Sequence, residues 1–422
     1  MPKIISLVAR QVFDSRGTPT VEAEIKLDNG GFASFITPSG ASCGSKEALE
    51  LRDNDPNKYG GKGVSKAISH MRGEITEALL HKNINNQAEL DNILINLDNT
   101  PNKSRLGANA ILAVSGAFFR ALAAGEHKAL YASIPWEGPY IMPMPLVNVI
   151  NGGAHANNGL DIQEFMLVPR GATNFSECLR MCAEVFYALK KLLAKNNLST
   201  AVGDEGGFAP MLSHNEQALD LLSEAVVSLG LKLGTDISFA LDVAATELCK
   251  NNYYIINNNK LNQHQMINWY EKLIKDYSIC SIEDAFSEDD YESFQAITAR
   301  LGAHVQIVGD DLFVTNEKFI KLGIEHKYAN AVLIKINQIG TISETLRAVK
   351  LTQKSGLNAI ISHRSGESED TTIADLAVLT RAGQIKTGSM SRSERTAKYN
   401  RLLRIEEELG SKALLSRAFM NF

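Results

Sequence analysis

Cysteine is scarce: the 422 residues hold five, Cys43, Cys178, Cys182, Cys249 and Cys280, with no C-x-x-C pair and no even, closely spaced framework. That argues against a disulfide scaffold or zinc knuckle and fits thiols kept reduced in a cytosol. An excess of charge of one sign is also missing. A net charge of −5 leaves no basic footprint for nucleic acid, so the expected partner is a small molecule. No apolar run matches a bilayer: the most membrane-like stretch, Leu106 to Phe119, spans fourteen residues between Arg105 and Arg120, short of the roughly 20 required. It is expected to form a buried helix, with no membrane span. Lys3, Arg10 and Gln11 interrupt the first residues, which lack the apolar core of a secretion signal, and a cytoplasmic location is expected. No G-x-G-x-x-G follows the first strand, and Gly60-Gly61-Lys62-Gly63 fails the P-loop spacing.

What remains is a globular composition, 44% hydrophobic and 22% charged, on a chain long enough for a small domain beside a barrel. Between Ile4 and Phe35 the pattern is strand-like: Thr20 to Leu27 alternates cleanly, and Asp28-Asn29-Gly30-Gly31 supplies a hairpin turn. Helical periods follow at Val64 to Leu80, Gln87 to Leu97 and Ala108 to Ala124. Four of the eleven prolines fall between Pro135 and Pro145, which sets the expected boundary between an α+β domain, 1–135, and a second domain, 136–422.

After residue 230 short apolar runs each end in a charged or hydrogen-bonding residue: Asp242, Glu283, Asp310, Lys335, His363 and Lys386. These ends lie 23 to 41 residues apart by subtraction of their numbers, room for one strand, one crossover helix and two loops per unit. Strands apolar throughout are buried on both faces, hence parallel. Six such units, with room for two more before them, predict an α/β fold with a closed eight-stranded barrel, whose functional residues gather at the carboxyl ends of its strands.

Asp242, Glu283 and Asp310 would then crowd three carboxylates around one point, where they repel unless a cation sits among them. With oxygen donors alone, Mg²⁺ is the best choice; a salt-bridge network with lysine or arginine is the alternative. Lys335 and Lys386 share the same rim in apolar sequence, and desolvation, a second ammonium and a metal would lower the pKa of one of them toward neutrality, making it a usable base. Schiff-base chemistry is the rival role. His363-Arg364-Ser365-Gly366 offers a guanidinium fork, a hydroxyl and backbone N–H groups suited to a phosphoryl group, unless Arg364 pairs with Glu367, Glu369 or Asp370. Gly-rich stretches at 37–44, 151–159 and 203–208 suggest loops that approach a site closely or close over it.

The motifs Phe13 to Glu22, Pro38 to Gly44, Gly203 to Pro210, Ile334 to Thr341, Ser362 to Glu367 and Ile385 to Ser389 resemble those of the enolase family, along almost the whole chain. The resemblance implies an N-terminal α+β cap on an unusual eightfold barrel, two Mg²⁺ ions per site, the second joining with substrate, and a homodimer or larger assembly. It implies dehydration of 2-phosphoglycerate to phosphoenolpyruvate, with the lysine base and magnesium general to such sites. Carried over by position, Asp242, Glu283 and Asp310 match ligands of the first metal and Ser42 the residue that joins the second. Lys335 matches the base at C2, and Glu205 the acid at the C3 hydroxyl. Glu164 and Gln163 match partners of that acid and of the substrate. Arg364 and Ser365 match phosphate contacts, Lys386 the lysine at the substrate carboxylate, and His155 and His363 the active-site histidines. Cys43 stands where the family usually has Thr, Thr18 where Asn is commoner and Tyr291 where Trp is frequent. The alternatives are another acid-sugar dehydratase of the same superfamily, or a second, non-catalytic role at a cell surface or in an RNA-processing assembly.

Overall fold

In the computed structural model of the chain, residues 2–40, 44–135 and 138–419 are described. The chain opens with an antiparallel meander, Ile4–Phe13, Pro19–Leu27 and Phe32–Ile36, paired in sequence order. In the middle strand Val21, Ala23, Ile25 and Leu27 are buried to the last square ångström, so its alternation makes one dry face. Each Val, Ile or Leu so buried stabilises by roughly 1.5–3 kcal/mol.

Helix Ala108–Gly125 covers that face. It is long and apolar enough to cross a membrane by length and composition, but 78% of it is buried inside the molecule, which explains its sequence. Glycine at position 116 admits the sheet: a Cβ there would lie 2.4 Å from the Phe35 ring. The predicted helix at Val64 to Leu80 is split in the structure into Ser65–His70, a wider turn Met71–Ile75 and Thr76–Leu79; Gly73, with φ −95° and ψ −111°, breaks the regular ladder.

The rest of the chain forms a closed eight-stranded barrel, with its strands in the order Met144–Asn151, Glu164–Val168, Ser238–Asp242, Ile279–Glu283, Gln306–Gly309, Ala331–Ile334, Asn358–Ser362 and Gly383–Lys386. The last six were legible as apolar runs. The six strands read as parallel pair parallel with one another, as does the last with the first strand; the second strand, outside that reading, runs antiparallel to both neighbours. The cause is local. The connection between the first two strands, residues 152–163, holds only the 3-10 turn Gly153–His155 and no crossover helix to carry the chain back to the opposite end. A strand reversed in this way brings its first residue, not its last, to the carboxyl rim, so Glu164 pairs in register with Asp242 on one side and Asn151 on the other.

The cap seats on that rim. Ser39 and Gly366 exchange backbone hydrogen bonds at 2.8 Å in both directions, Ser15 N–H donates to the Glu367 carbonyl at 2.7 Å, and Ala48 N–H to the Gln338 carbonyl at 2.8 Å.

Candidate active site

Asp242, Glu283 and Lys386 close their strands, and Asp310, Lys335 and His363 each directly follow one. All six therefore crown the same end of the barrel, as the spacing implied. Lys386 occupies the centre. Its Nζ lies 2.8 Å from both Asp242 Oδ2 and Glu283 Oε1, and 3.1 Å from Glu164 Oε1. Lys335 forms its ion pair with Asp310 Oδ2, and Gln338 donates to Asp310 Oδ1 at 2.8 Å. Gln163 Nε2 donates to Asp242 Oδ2 at 3.3 Å. The alternative of a lysine network is thus what the carboxylates engage here, with two ammonium groups standing where the argument from charge wants cations.

Those ammonium groups are not enough. Burial, then Asp242 beside it, pushes the Glu283 carboxyl well above the usual range. Burial and then Glu205 do the same to Glu164, and burial and then Asp311 to Asp284. Burial and Asp310 raise Asp311 to about 7. Burial is the largest influence on Lys386 and Lys335 and opposes their charge, but the surrounding carboxylates together, Asp242 foremost for the first and Asp310 for the second, outweigh it and raise both lysines. Second oxygens of Glu164 and Glu283 are buried without a hydrogen-bond partner among the described residues. Such a cage of hard oxygen donors, with more negative charge than its lysines neutralise, fits a divalent cation. Ligand oxygens of Asp284, Asp310 and Asp311 already lie within 4.8 Å of one another; the expected trio Asp242, Glu283 and Asp310 is parted by the lysines, Lys386 bridging the first two and Lys335 on the third. Ser42 lies outside the described residues.

On the other side of the cavity Glu205 sits in the loop 203–208, pinned by Phe208, which pairs with Ile150 and Val202. His155, Glu164 and Glu205 bring ligand atoms within 4.8 Å of one another. Burial opposes the Glu205 charge, but His155, His363 and Arg395 around it hold its carboxyl well below the ordinary value. Two buried carboxyls side by side thus divide their proton unequally, with Glu164 keeping it. Burial, with Arg395 and Lys386 adding to it, keeps His363 well below its usual pKa and so neutral. Arg395 can only donate, so it fixes His363 Nδ1 as acceptor and the ring proton on Nε2, which faces Glu205 Oε2 at 3.6 Å.

Arg364 turns its guanidinium toward the cap. Its guanidinium makes a fork to Glu47 from the cap, at 2.9 and 3.1 Å, and reaches Asn337 Oδ1 at 2.9 Å, while its backbone N–H donates to Glu367 at 3.2 Å. Together His155, Gln163, Glu164, Glu205, Asp242, Lys335, His363, Arg364, Ser365 and Lys386 line one cavity. Every candidate within the described residues converges there except Glu283 and Asp310, which sit just beneath, in contact with Lys386 and Lys335.

Sequence reasoning missed several supporting groups. Asn148 donates to Glu205 at 3.2 Å; an asparagine inside the apolar run Leu146 to Ile150 was the available signal. Arg395, fully buried, donates to the carbonyls of Arg364 at 2.6 Å and Ser365 at 2.7 Å and so shapes the loop. Nothing in its polar sequence surroundings marks it.

Acidic oxygens and lysines at the carboxyl rim of a capped barrel, beside an arginine and serine loop suited to an anion, define a barrel enzyme acting on small anionic substrates. Residues 4–134 match the family model "Enolase, N-terminal domain", and 139–420 match "Enolase, C-terminal TIM barrel domain". Proteins named Enolase from Legionella pneumophila strains Lens and Corby are each 54% identical over 406 residues, 96% of this chain and 96% of theirs. The chain belongs to the enolase family, whose members are phosphopyruvate hydratases, carbon–oxygen lyases that dehydrate 2-phosphoglycerate.

Proposed function

We propose that this chain dehydrates 2-phosphoglycerate to phosphoenolpyruvate with Lys335 as the base at C2 and Glu205 as the acid at the C3 hydroxyl. The observation that carries the reading is that these two groups line one cavity together with Arg364 and Ser365. A C–H next to a carboxylate is a very weak acid, because its removal adds a second negative charge to an anion. Asp242, Glu283 and Asp310 would hold magnesium, and Ser42 would join a second ion; the metal supplies positive charge where the substrate's negative charge develops. Lys386 adds its ammonium at the substrate carboxylate.

A base must be uncharged. Asp310 is the chief influence that keeps the proton on Lys335; burial and Arg364 favour the free amine. With Asp310 committed to a metal its hold on that proton weakens, leaving Asp311 and Glu283 to oppose burial and Arg364. The single proton of the Glu164 and Glu205 pair is the one to be delivered: it rests on Glu164, passes to Glu205, whose oxygen lies within 4.8 Å of that carboxyl, and is given by Glu205 to the departing hydroxyl, while Gln163 and His155 hold the pair's environment and the neutral His363 directs its Nε2–H toward Glu205. Arg364 and Ser365 bind the phosphoryl group.

The 1–135 cap and 136–422 barrel are proposed to act as one unit, in a cytoplasmic homodimer. The test is ultraviolet detection of phosphoenolpyruvate from 2-phosphoglycerate, with and without magnesium. Product formation that persists in excess EDTA would reject the metal site.

A further inference from the structure

The motif Phe13 to Gly17 has no part in the chemistry above, yet it lies against the anion loop. Asp14 Oδ1 accepts the backbone N–H groups of Arg16 and Thr18 at 2.9 Å each, and Oδ2 accepts the Ser39 hydroxyl at 2.8 Å. This turn, tied to Glu367 through Ser15, holds the Arg16 side chain over Ser365. Nη1 of Arg16 lies 3.5 Å from Ser365 Oγ, and Nη2 donates to Ser39 Oγ at 3.2 Å and to the Gly40 carbonyl at 3.3 Å. Gly366 permits the approach: a Cβ there would fall 2.5–2.6 Å from Asp14 Oδ2, Arg16 Nη2 and Ser39 Oγ.

A rivet between cap and barrel would need no more than hydrogen bonds, but the electrostatics of Arg16 go further. Its side chain is 19% exposed, and its carboxylate partner, Asp14, stands off at 3.5 Å and is already shared among two backbone N–H groups and a hydroxyl. The other hydrogen-bond acceptors are neutral oxygens, Glu50, which also feels Arg16, is ion-paired with Arg52 at 2.6 Å, and Nε is buried with no hydrogen-bond partner among the described residues. A guanidinium held this way keeps unspent positive charge, and it keeps it beside the hydroxyl that, with Arg364, faces the cavity.

We propose that Arg16 is a binding residue for the substrate's phosphoryl group, a second guanidinium delivered by the cap to the oxygens that Arg364 and Ser365 hold. The barrel's anion site would then be complete only with the cap in place. The inference rests on the phosphorylated-acid reading and adds to it a specificity for a dianionic group.

The test uses the full chain with Arg16→Gln and Arg16→Lys. Titration calorimetry with magnesium present measures binding of inorganic phosphate and of phosphonoacetate, beside KM and kcat for 2-phosphoglycerate and the thermal midpoint. Loss of one charge-assisted contact is expected to weaken both anions and raise KM by about ten- to a hundredfold in Arg16→Gln, with most of the loss in KM, and Arg16→Lys is expected to recover part of it. Unchanged anion affinity in Arg16→Gln, or a fall in the thermal midpoint and kcat with KM intact, would overturn the proposal. Should Arg16→Gln not fold, Arg16→Lys decides by the same titrations: a lysine cannot form the fork, so wild-type affinity would count against it. If the wild-type protein leaves 2-phosphoglycerate unchanged, the parent reading fails, while phosphate binding still reads Arg16 on its own.

Discussion

Burial and the Arg364 guanidinium both press Lys335 toward the free amine, and Asp310 foremost keeps it charged. Replacement of Lys335 by alanine is therefore expected to suppress exchange of the C2 proton with solvent by about 10²–10⁴-fold, read by NMR in deuterated buffer. Exchange at the wild-type rate would reassign the base. Glu205→Gln separates the two halves of the reaction: C2 exchange is expected to continue while phosphoenolpyruvate formation falls by a similar factor, and a parallel loss of both would deny Glu205 the role of acid. The position of Lys335 at the rim was legible from its own run, because a charged side chain flush against four apolar ones demands a reason, whereas Glu205 was named only through the family resemblance. Glu47 was not legible at all. It sits at side-chain exposure of 7% against Arg364, 317 positions away, and no local pattern reports a partner at that separation.

At the scale of elements, period and length recovered the cap hairpin, the helix Gln87–Asp98, the helix Ala108–Gly125 and six barrel strands. Direction escaped. Periodicity is the same in parallel and antiparallel strands buried on both faces, so the reversed Glu164–Val168 could be found only from its connection. That reversal has a chemical result, since it sets Glu164 beside Asp242 instead of at the far end of the barrel. The cap depends on one close contact between elements. Gly116→Val is expected to cost about 1–3 kcal/mol by overpacking against Phe35, measured by urea unfolding; a midpoint equal to wild type would show that the helix shifts without penalty.

The whole molecule carries an excess of buried negative charge, and stability should report it. Glu164, Glu283, Asp284 and Asp311 all bind their protons more tightly folded than unfolded. Their contribution is fully present below the unfolded carboxyl pKa and is lost as pH rises through the folded value, about 7 for Asp311. Asp242 and Glu205, held low, act in the opposite sense: their contribution is present above the unfolded value and is lost only as pH falls below it. In EDTA the four raised carboxyls are expected to lower the thermal midpoint between about pH 5 and pH 7.5, and added magnesium to raise it more at the higher pH, where metal replaces no proton. A magnesium effect independent of pH would mean that these carboxyls do not face the ion. For the proposed homodimer, sedimentation should give twice the chain mass of 46.1 kDa.

The sequence by itself determined the barrel's strand ends, the oxygen-only donor set and the arginine and serine loop proposed to take phosphate, because each is written in a contiguous run of residue types. Only the tertiary structure decided which lysine meets which carboxylate, which of Glu164 and Glu205 keeps the proton, and that the cap reaches Arg364 with Glu47 and Ser365 with Arg16. Those outcomes depend on distances of a few ångströms between segments up to some 350 residues apart, and electrostatic balance in a buried site is set by such distances and not by order along the chain.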